Sequence, residues 1–309
     1  MSEPKGRGPA WTEERRRSHE GRRDLKSAPE ASEWPLGTVT VLGAHILDVL
    51  GRPVETIPPG QGSVRLREIR ATAAGTAAGT AVDLAKLGAR VLAAGAIGED
   101  LLGDIVIAAM ARHGVDTTGL VRKQEAQTSA TILPIRPNGE RPALHVPGAT
   151  RLFTRADVDL APIRADVDLA PIRASRALLI GAPDALAGLT GGELADIAAA
   201  AKASGALVAV DVLHPGRPQD FDRLAPLLAT TDWFMPNGDQ ILALTGREEL
   251  TDAIKDVLAL GTATVAVTCG ALVATGLGSD AGIENLGQVL DFLSGTQPAV
   301  AGRIKEHMS

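Results

Sequence analysis

Short apolar runs alternate with longer segments rich in alanine and leucine from residue 39 onward. The runs resemble buried strands: Val39–Leu42, Val91–Ala94, Ala177–Ile180, Leu207–Val210, Trp233–Met235 and Thr264–Val267. The segments between them have helical length: Thr76–Leu87, Leu101–His113, Gly191–Ala203, Asp220–Ala229 and Leu250–Leu260. This alternation predicts an α/β fold with a mainly parallel sheet covered by helices on both faces. Ligands of such sheets bind at the carboxyl ends of the strands.

Two stretches interrupt the alternation, residues 52–72 and residues 128–146. The first reads as an extended segment with a turn at Pro58-Pro59-Gly60. The second alternates around Pro137-Asn138-Gly139-Glu140, which is a strong hairpin signal. Because both stretches follow strands of the main sheet, we predict that they form a small β-structure that covers a ligand as a lid.

The composition is that of a globular protein with one large domain, or one domain and a small appendage. The single cysteine, Cys269, excludes an intrachain disulfide. Aromatic residues are only 2%, tyrosine is missing and the net charge is −6, which argues against a nucleic-acid partner. No apolar run reaches the ~18 residues of a membrane span, and the N-terminus has no apolar signal core. We therefore expect a cytoplasmic protein with no membrane partner.

Residues 1–36 differ in composition from the rest of the chain. They hold 8 Lys and Arg against 7 Asp and Glu, with no sustained apolar period. We expect a disordered charged tail here, either an extension or the result of a start codon assigned too early, and a domain over residues 37–309. The alternative is that Arg15–Arg17 and Arg22–Arg23 bind an acidic partner, although neighbouring glutamates offset their charge.

One nine-residue sequence occurs twice in succession, at residues 156–164 and 165–173. Two adjacent copies are too few for a repeat architecture, so we interpret them as a local tandem duplication. On one helix the copies would face different directions, because nine residues make two and a half turns. A functional pair of aspartates remains the alternative.

The first candidate for chemistry is Asp48, which follows the apolar run ending at Leu42. A carboxylate at the ligand edge of the sheet can accept hydrogen bonds from two hydroxyls of a polyol. From spacing alone, a turn or a helix cap is an equally good interpretation.

A segment of small residues, Ala74–Ala81, leads into the helical stretch that ends at Gly88. Small residues at a helix start let a ligand approach the backbone N–H groups, although they also serve close helix packing. Further on, Gly98-Glu99-Asp100 predicts a turn followed by a helix cap.

The order and spacing of these pieces resemble the ribokinase-like, or PfkB, family of carbohydrate kinases. The family signature has a Gly-Gly-x-x-x-Asn segment, a helix ending at Leu-Gly, a strand, and then Gly-Asp-Asp-x-x-Gly. The stretch from Gly75 to Gly103 follows this order, and the resemblance covers about residues 38–276. Farther along, Asn237-Gly238-Asp239-Gln240 resembles the Asn-x-x-Glu motif near the metal and phosphates. Ala266–Leu272 resembles the nucleotide-contacting strand and turn.

The resemblance implies a three-layer α/β/α sandwich with a small β lid made by residues 52–72 and 128–146. It implies transfer of the ATP γ-phosphate, with Mg²⁺, to a hydroxyl of a sugar, and a homodimer formed through the lid. The implied residues are, for the sugar, Asp48, Gly75, Thr76 and Gly79; for the nucleotide, Asn237, Thr268, Gly270, Gly276 and Gly278; for the metal, Gln240; and as catalytic base, Asp280.

The sequence departs from the family pattern at four places. The nucleotide-contacting turn is about three residues short, because a glycine is expected between Gly270 and Leu272. Gly79 stands where the family has an asparagine that binds sugar. Gln240 stands where the family has a glutamate, and it lacks the negative charge that holds metal-bound water. The turn from Gly276 to Asp280 carries an extra serine relative to the family's Gly-Ala-Gly-Asp, and only 29 residues follow it, so we expect an incomplete part after residue 276.

Three functional hypotheses follow from these residues. The first is an ATP- and magnesium-dependent sugar kinase whose activity is impaired by the departures. The second is a catalytically inactive relative that binds a sugar or a nucleotide, or nothing. The third is an unrelated α/β protein such as a dehydrogenase, which is disfavoured because no Gly-x-Gly-x-x-Gly follows the first strand.

Overall fold

The computed structural model describes residues 38–159, 175–214, 216–268 and 283–296. Three features predicted from the sequence lie outside the described residues: the charged tail of residues 1–36, most of the tandem repeat, and the turn that contains Gly270, Gly276, Gly278 and Asp280.

The main sheet has seven strands, numbered in chain order together with those of a second sheet: β1 Thr38–Gly43, β4 Arg90–Gly98, β5 Asp116–Lys123, β8 Ala177–Gly181, β9 Leu207–Asp211, β10 Trp233–Phe234 and β11 Thr264–Val265. Their order across the sheet is β11-β10-β9-β8-β1-β4-β5, and neighbouring strands are parallel. Each of the six predicted apolar runs coincides with one of these strands, although Met235 and residues 266–267 lie beyond the ends of β10 and β11. The predicted parallel sheet is therefore confirmed. Strand β5 lies at the edge and was not among the predictions.

Helices cover both faces of this sheet. The helices of the described residues are α1 Gly75–Lys86, α2 Leu101–Ala111, α3 Arg155–Asp159, α4 Gly191–Ala203, α5 Pro218–Leu228, α6 Gly238–Thr245, α7 Leu250–Ala259 and α8 Leu286–Thr296. Successive strand residues point to opposite faces. Val41 packs with the buried residues of α1 and α2. Its neighbour Leu42 packs with those of α4, α5, α6 and α7. The three-layer α/β/α prediction is therefore confirmed.

Helix starts follow capping signals in the sequence. The predicted cap at Asp100 is confirmed, because its carboxylate accepts a hydrogen bond from the Gly103 N–H at 2.9 Å. At α4, Thr190 and Glu193 form a reciprocal capping box. Each such cap satisfies N–H groups that have no partner inside the helix. No helix of the described residues is both long and apolar enough to cross a bilayer.

A second, four-stranded sheet has the order β3-β2-β6-β7. Its strands are β2 Ile46–Arg52, β3 Glu68–Ala74, β6 Ala130–Pro134 and β7 Leu144–Val146. Strands β6 and β7 form the predicted hairpin around residues 137–140. Residues 52–72, predicted as extended, are strand only at their two ends, because Pro53, Pro58 and Pro59 have no N–H to donate to a ladder.

The chain passes from the main sheet to the small sheet over Ala44 and His45. His45 is completely buried, and its Nδ1 lies 2.9 Å from the carbonyl oxygen of Gly43. Burial lowers the pKa of this imidazole to about 4, although the bond to Gly43 acts in the opposite direction. A Cβ at Gly95 would come within 2.6 Å of His45 Nδ1, so glycine leaves room for the ring that anchors the start of β2.

Candidate functional site

A cavity of about 270 Å³ lies between the small sheet and the carboxyl edge of the main sheet. The small sheet contributes Asp48, Thr131 and His145, the start of α1 contributes Gly75, and the loop after β9 contributes His214. The rest of its lining is mostly apolar: Ile46, Leu133, Ala143 and Leu213. A concave, largely apolar pocket with a few convergent polar groups is the usual form of a small-molecule site.

Asp48 lies in the middle of β2, paired in register with Thr131 of β6. Its alternative interpretation as a turn or cap residue is therefore wrong. Burial raises the pKa of its carboxyl, while a hydrogen bond from Thr131 and the positive charge of Arg141 act in the opposite direction. The carboxylate is thus partly removed from water and placed where it can accept hydrogen bonds from a ligand.

Thr131 connects Asp48 to a histidine of the neighbouring strand. Its Oγ1 lies 3.0 Å from Nδ1 of His145. A hydrogen bond from Thr131 also lowers the pKa of the Asp48 carboxyl, so Thr131 contacts both Asp48 and His145. Burial lowers the pKa of His145, and the charge of His214 adds to this effect. The cavity thus holds one carboxylate, Asp48, beside a threonine that also contacts His145.

Gly75 begins α1 with φ +83°, and a Cβ there would come within 2.6 Å of the Ala44 carbonyl oxygen. The preceding residue, Ala74, has no side-chain acceptor for the N–H groups of the first turn. The Oγ1 of Thr76 is buried and has no hydrogen-bond partner among the described residues. Gly79 is buried within the helix. Of the four predicted sugar residues, Asp48 and Gly75 line the cavity.

Asp184 organises the loop that follows β9. Its carboxylate accepts from the backbone N–H groups of Leu213 at 2.9 Å and His214 at 3.0 Å, and from His214 Nδ1 at 2.9 Å. The bond to Asp184 raises the pKa of His214, against the effect of burial. Burial acts to raise the pKa of Asp184, but its three hydrogen bonds hold that pKa below its ordinary value.

Asp211 ends β9 next to this loop. Burial raises the pKa of its carboxyl to about 7; the nearby charge of Asp184 adds to the rise, and the N–H of Val212 opposes it. Strongly perturbed carboxyls cluster at functional sites, although structural networks also produce them.

The predicted nucleotide residues Asn237 and Thr268 are neighbours. They form an isolated parallel bridge, and the Thr268 N–H donates to the carbonyl of Pro236 at 2.8 Å. This bridge places the start of α6 beside the end of the last described strand of the main sheet. Gly270, Gly276, Gly278 and Asp280, the other predicted nucleotide and catalytic residues, lie outside the described residues.

Gln240 uses both ends of its side-chain amide. Its Oε1 accepts from the Asn237 N–H and the Gln240 N–H donates to Asn237 Oδ1, both at 2.8 Å, so the two residues form a capping box. Its Nε2 donates to the carbonyls of Val212 at 2.8 Å and Leu213 at 3.2 Å. Because Leu213 lines the cavity, this amide connects the predicted nucleotide side to the predicted sugar side.

The resemblance implies a magnesium ion near Gln240, and the described residues do not favour it there. Mg²⁺ prefers carboxylates and water, whereas this amide carries no charge and directs its N–H groups at carbonyls. No group of three or more His, Cys, Asp or Glu residues suited to a metal occurs in the described part of the chain. The assignment of Gln240 to the metal stays a prediction.

Four residues of this site were not predicted from the sequence: Thr131, His145, Asp184 and His214. None of them belongs to a recognisable motif, and they reach the site from different elements. A fifth, Asp211, carried a usable signal. It directly follows the apolar run Leu207–Val210, so the rule that singled out Asp48 would also have found it.

A larger cavity of about 650 Å³ lies beside β3 and the ends of α1 and α2. Its lining includes Arg70, Lys86, Arg112 and His113, and none of the predicted site residues in the described ranges. The smaller cavity is therefore the candidate site, because it gathers residues that were predicted independently.

Comparison with known proteins agrees with this architecture. The sequence profile of the family described as pfkB family carbohydrate kinase matches residues 37–280, well over half of the chain. Fructokinase-1 from Oryza sativa subsp. japonica is 26% identical over 187 residues, which are 58% of this chain and 55% of that protein. The match therefore spans about half the length of the rice fructokinase.

Solved structures show the same fold. Ribokinase from Arabidopsis thaliana, complexed with ribose and ATP, has a TM-score of 0.57 at 21% identity, over 74% of this chain and 70% of that chain. Fructokinase from Xylella fastidiosa with bound ATP has a TM-score of 0.56 at 21% identity, over 75% of this chain and 72% of that chain. The predicted ribokinase-like fold is confirmed.

Proposed function

The chain belongs to the pfkB family of carbohydrate kinases, and from that premise we propose that it transfers the γ-phosphoryl group of ATP to a hydroxyl of a sugar. The observation that carries the proposal is the cavity that joins Asp48 and Gly75 beneath the small sheet. Its volume and its mixture of apolar walls and hydrogen-bonding groups suit a sugar-sized polyol. Such a kinase would work in the cytoplasm, where ATP and free sugars are both available.

On the sugar side, Asp48 would accept hydrogen bonds from sugar hydroxyls. The N–H groups at the start of α1, beside Gly75 and Thr76, would donate to sugar oxygens, which is supported by the missing side-chain cap at Ala74. At Gly79 the contact that the family's asparagine makes with the sugar would be missing, because glycine has no side chain that can form a hydrogen bond.

On the nucleotide side, we assign ATP contacts to Asn237 and Thr268, and to Gly270, Gly276 and Gly278, on the strength of the motifs. Asp280 would take the proton of the attacking hydroxyl while the turn's N–H groups stabilise the charge on the transferred phosphoryl. Any Mg²⁺ would neutralise phosphate charge when bound with ATP.

We further propose that activity is low. Loss of one electrostatic donor costs roughly 10²–10³ in rate, and an unsuitable base costs roughly 10²–10⁴. The altered turn before Asp280 and the missing charge at Gln240 therefore point to turnover far below that of a typical kinase. The alternative is a catalytically inactive relative that binds a sugar or a nucleotide. It is supported by the loop contacts that occupy the Gln240 side chain.

We also propose a homodimer through the small sheet. Large apolar side chains are exposed on the face of this sheet opposite the cavity: Ile69, Ile132, Leu144 and Val146. A contiguous exposed apolar patch marks an interaction surface. Light scattering should give twice the chain mass for the wild type and the chain mass for a variant with Ile132→Lys and Leu144→Lys. A monomeric wild type would contradict the dimer.

The test of the kinase proposal is ADP release by the purified protein over a panel of sugars. We expect release that depends on one class of sugar, at a rate well below the ~1–100 s⁻¹ of competent kinases, and its loss in Asp280→Asn. No sugar dependence with any panel member would favour the inactive alternative. Turnover within the ordinary range would show that the departures do not impair the site.

A further inference from the structure

The loop after β9 is fixed from two sides. Asp184 accepts the backbone N–H groups of Leu213 and His214, at 2.9 and 3.0 Å. Gln240 donates to the carbonyls of Val212 and Leu213 from the other side. Four hydrogen bonds to three consecutive residues leave this backbone little freedom. The position of the His214 ring at the cavity is therefore built into the fold.

Asp184 is itself held firmly. Ala182, two residues before it, has φ +59° and ψ +49°, a left-handed conformation that costs a non-glycine residue energy. The guanidinium of Arg223 donates to the Pro183 carbonyl at 2.7 Å. The Asp184 side chain is only 7% exposed, against 57% for His214. The turn that contains Ala182 and Pro183 thus holds the buried carboxylate of Asp184 against the exposed imidazole of His214.

The Asp184 contact determines which His214 nitrogen is available. Nδ1 donates to the carboxylate at 2.9 Å. Nε2 has no hydrogen-bond partner within the described residues, and the ring lines the same cavity as Asp48. A second proton on the ring therefore makes Nε2 a charged donor, whereas the neutral ring has only a lone pair on that atom.

We propose, building on the proposed kinase function, that His214 contacts the sugar by donating a hydrogen bond from Nε2 to a sugar oxygen, and that Asp184 is its positioning residue. The cavity then combines an acceptor for sugar hydroxyls at Asp48 with a charged donor at His214. A substrate fits when it offers a hydroxyl to the first and an oxygen acceptor to the second. Sugar binding is thereby coupled to protonation of His214.

The charged groups around His214 define the direction of this coupling. Asp184 faces it from the turn after β8, and Asp220 from the start of α5; both stabilise the protonated ring. His145 faces it from β7. Asp48 of β2 lines the same cavity, and Asp211 ends the strand that leads into the loop. Because the hydrogen bond to Asp184 raises the pKa of His214, the donor is present below that pKa and is lost as the pH rises through it.

The experiment is calorimetric titration, without ATP, of the sugar that gives the strongest binding in the panel, from pH 5.5 to 9. For the wild type we expect binding to weaken roughly 5- to 10-fold across this range, because the charged Nε2 donor is replaced by a neutral nitrogen that can only accept a hydrogen bond from a hydroxyl. His214→Gln should bind weakly at pH 5.5 and lose that pH dependence. His113→Gln is the matched control, because His113 does not line the cavity that contains His214. This variant should bind the sugar as the wild type does.

Asp184→Asn tests the positioning role. It should move the transition in affinity to lower pH, because the amide no longer stabilises the charged ring. If the variant fails to fold, NMR titration of the His214 Cε1–H in the wild type replaces it, and bound sugar should raise the pKa of His214. Equal affinity and equal pH dependence in His214→Gln and wild type would overturn this inference alone. Absence of sugar binding to the wild type would overturn it together with the kinase proposal.

Discussion

The two ends of the candidate site use polar side chains in different ways. In the cavity, the side chains of Asp48 and His214 form part of the lining, where a ligand can reach them. At the start of α6, Asn237 and Gln240 bond to each other, and Gln240 also bonds to the adjoining loop. The cavity end therefore keeps groups available for a ligand, whereas the α6 end uses its side chains to hold the backbone.

This difference separates ligand binding, at the cavity end, from stability of the fold, at the α6 end. Polar groups that face a ligand cost stability, because they are partly buried without full compensation. Side chains that hydrogen-bond to a loop, such as that of Gln240, stabilise the fold, and their polar atoms are then not available to a ligand. Substitutions at the cavity end should therefore change binding or pH dependence, and substitutions at the α6 end should change the free energy of unfolding.

The largest expected effect is at Asp211. Its pKa of about 7 lies above the ordinary value of 3.8, so the folded protein retains a proton that the unfolded chain releases. Stability from this group is present below about pH 4 and is lost as the pH rises to about 7. Asp211→Asn should therefore stabilise the protein at pH 8 by up to about 4 kcal/mol, with no gain near pH 4, as measured by urea unfolding.

Asp222→Asn, on the exposed side of α5, is the matched control and should change stability little at either pH. A constant difference between Asp211→Asn and the wild type from pH 4 to 8 would show that the Asp211 carboxyl is not buried as described.

The next effect concerns ligand affinity. Asp48→Ala should weaken sugar binding by about 1.5–3 kcal/mol, the range for hydrogen bonds to a charged group, which is roughly a 10- to 150-fold rise in Kd. Calorimetry on the variant measures it. Asp196→Ala, exposed on α4, provides the control. Unchanged affinity in Asp48→Ala would remove this carboxylate from the binding site and leave the cavity end without its main acceptor.

The smallest effect is at Gln240. Gln240→Glu replaces the donating Nε2 by an oxygen that faces the carbonyls of Val212 and Leu213, and it should destabilise the protein by about 1–2 kcal/mol. It should not raise sugar-dependent ADP release. Denaturant unfolding and the ADP assay measure the two quantities.

Gln288→Glu is a closely matched control for that substitution. Gln288 also lies in the first turn of its helix, where its Oε1 accepts from the Glu284 N–H at 2.9 Å, and glutamate keeps that acceptor. Its stability should stay within about 0.5 kcal/mol of the wild type. Restored kinase activity in Gln240→Glu would mean that the missing charge, and not the loop contact, is what matters at this position.

Much of the fold could be predicted because buried parallel strands are apolar on both faces. Strand β5 could not, because Asp116–Lys123 lies at the sheet edge and alternates polar with apolar residues. Strand β2 was missed for a similar reason, since it belongs to the half-exposed small sheet. Edge and surface strands lack the continuous apolar run by which the other strands were found.

The site was predictable only where a local motif existed. Asp48 comes shortly after the first apolar run and Gly75 begins α1, so their placement at one edge of the main sheet could be inferred. The loop contacts of Gln240 could not, because Val212 and Leu213 lie 28 and 27 residues away in the sequence. The same holds for Asp184 and His214, 30 residues apart, which only the folded chain brings together.

The measurement that most directly tests phosphoryl transfer is ³¹P NMR of the wild-type protein during a long incubation with ATP, magnesium and the sugar that it binds. We predict a slowly growing phosphomonoester signal, equal in amount to the ADP formed and missing when the sugar is left out. Formation of inorganic phosphate alone, or an unchanged ATP spectrum with the sugar bound, would contradict the account.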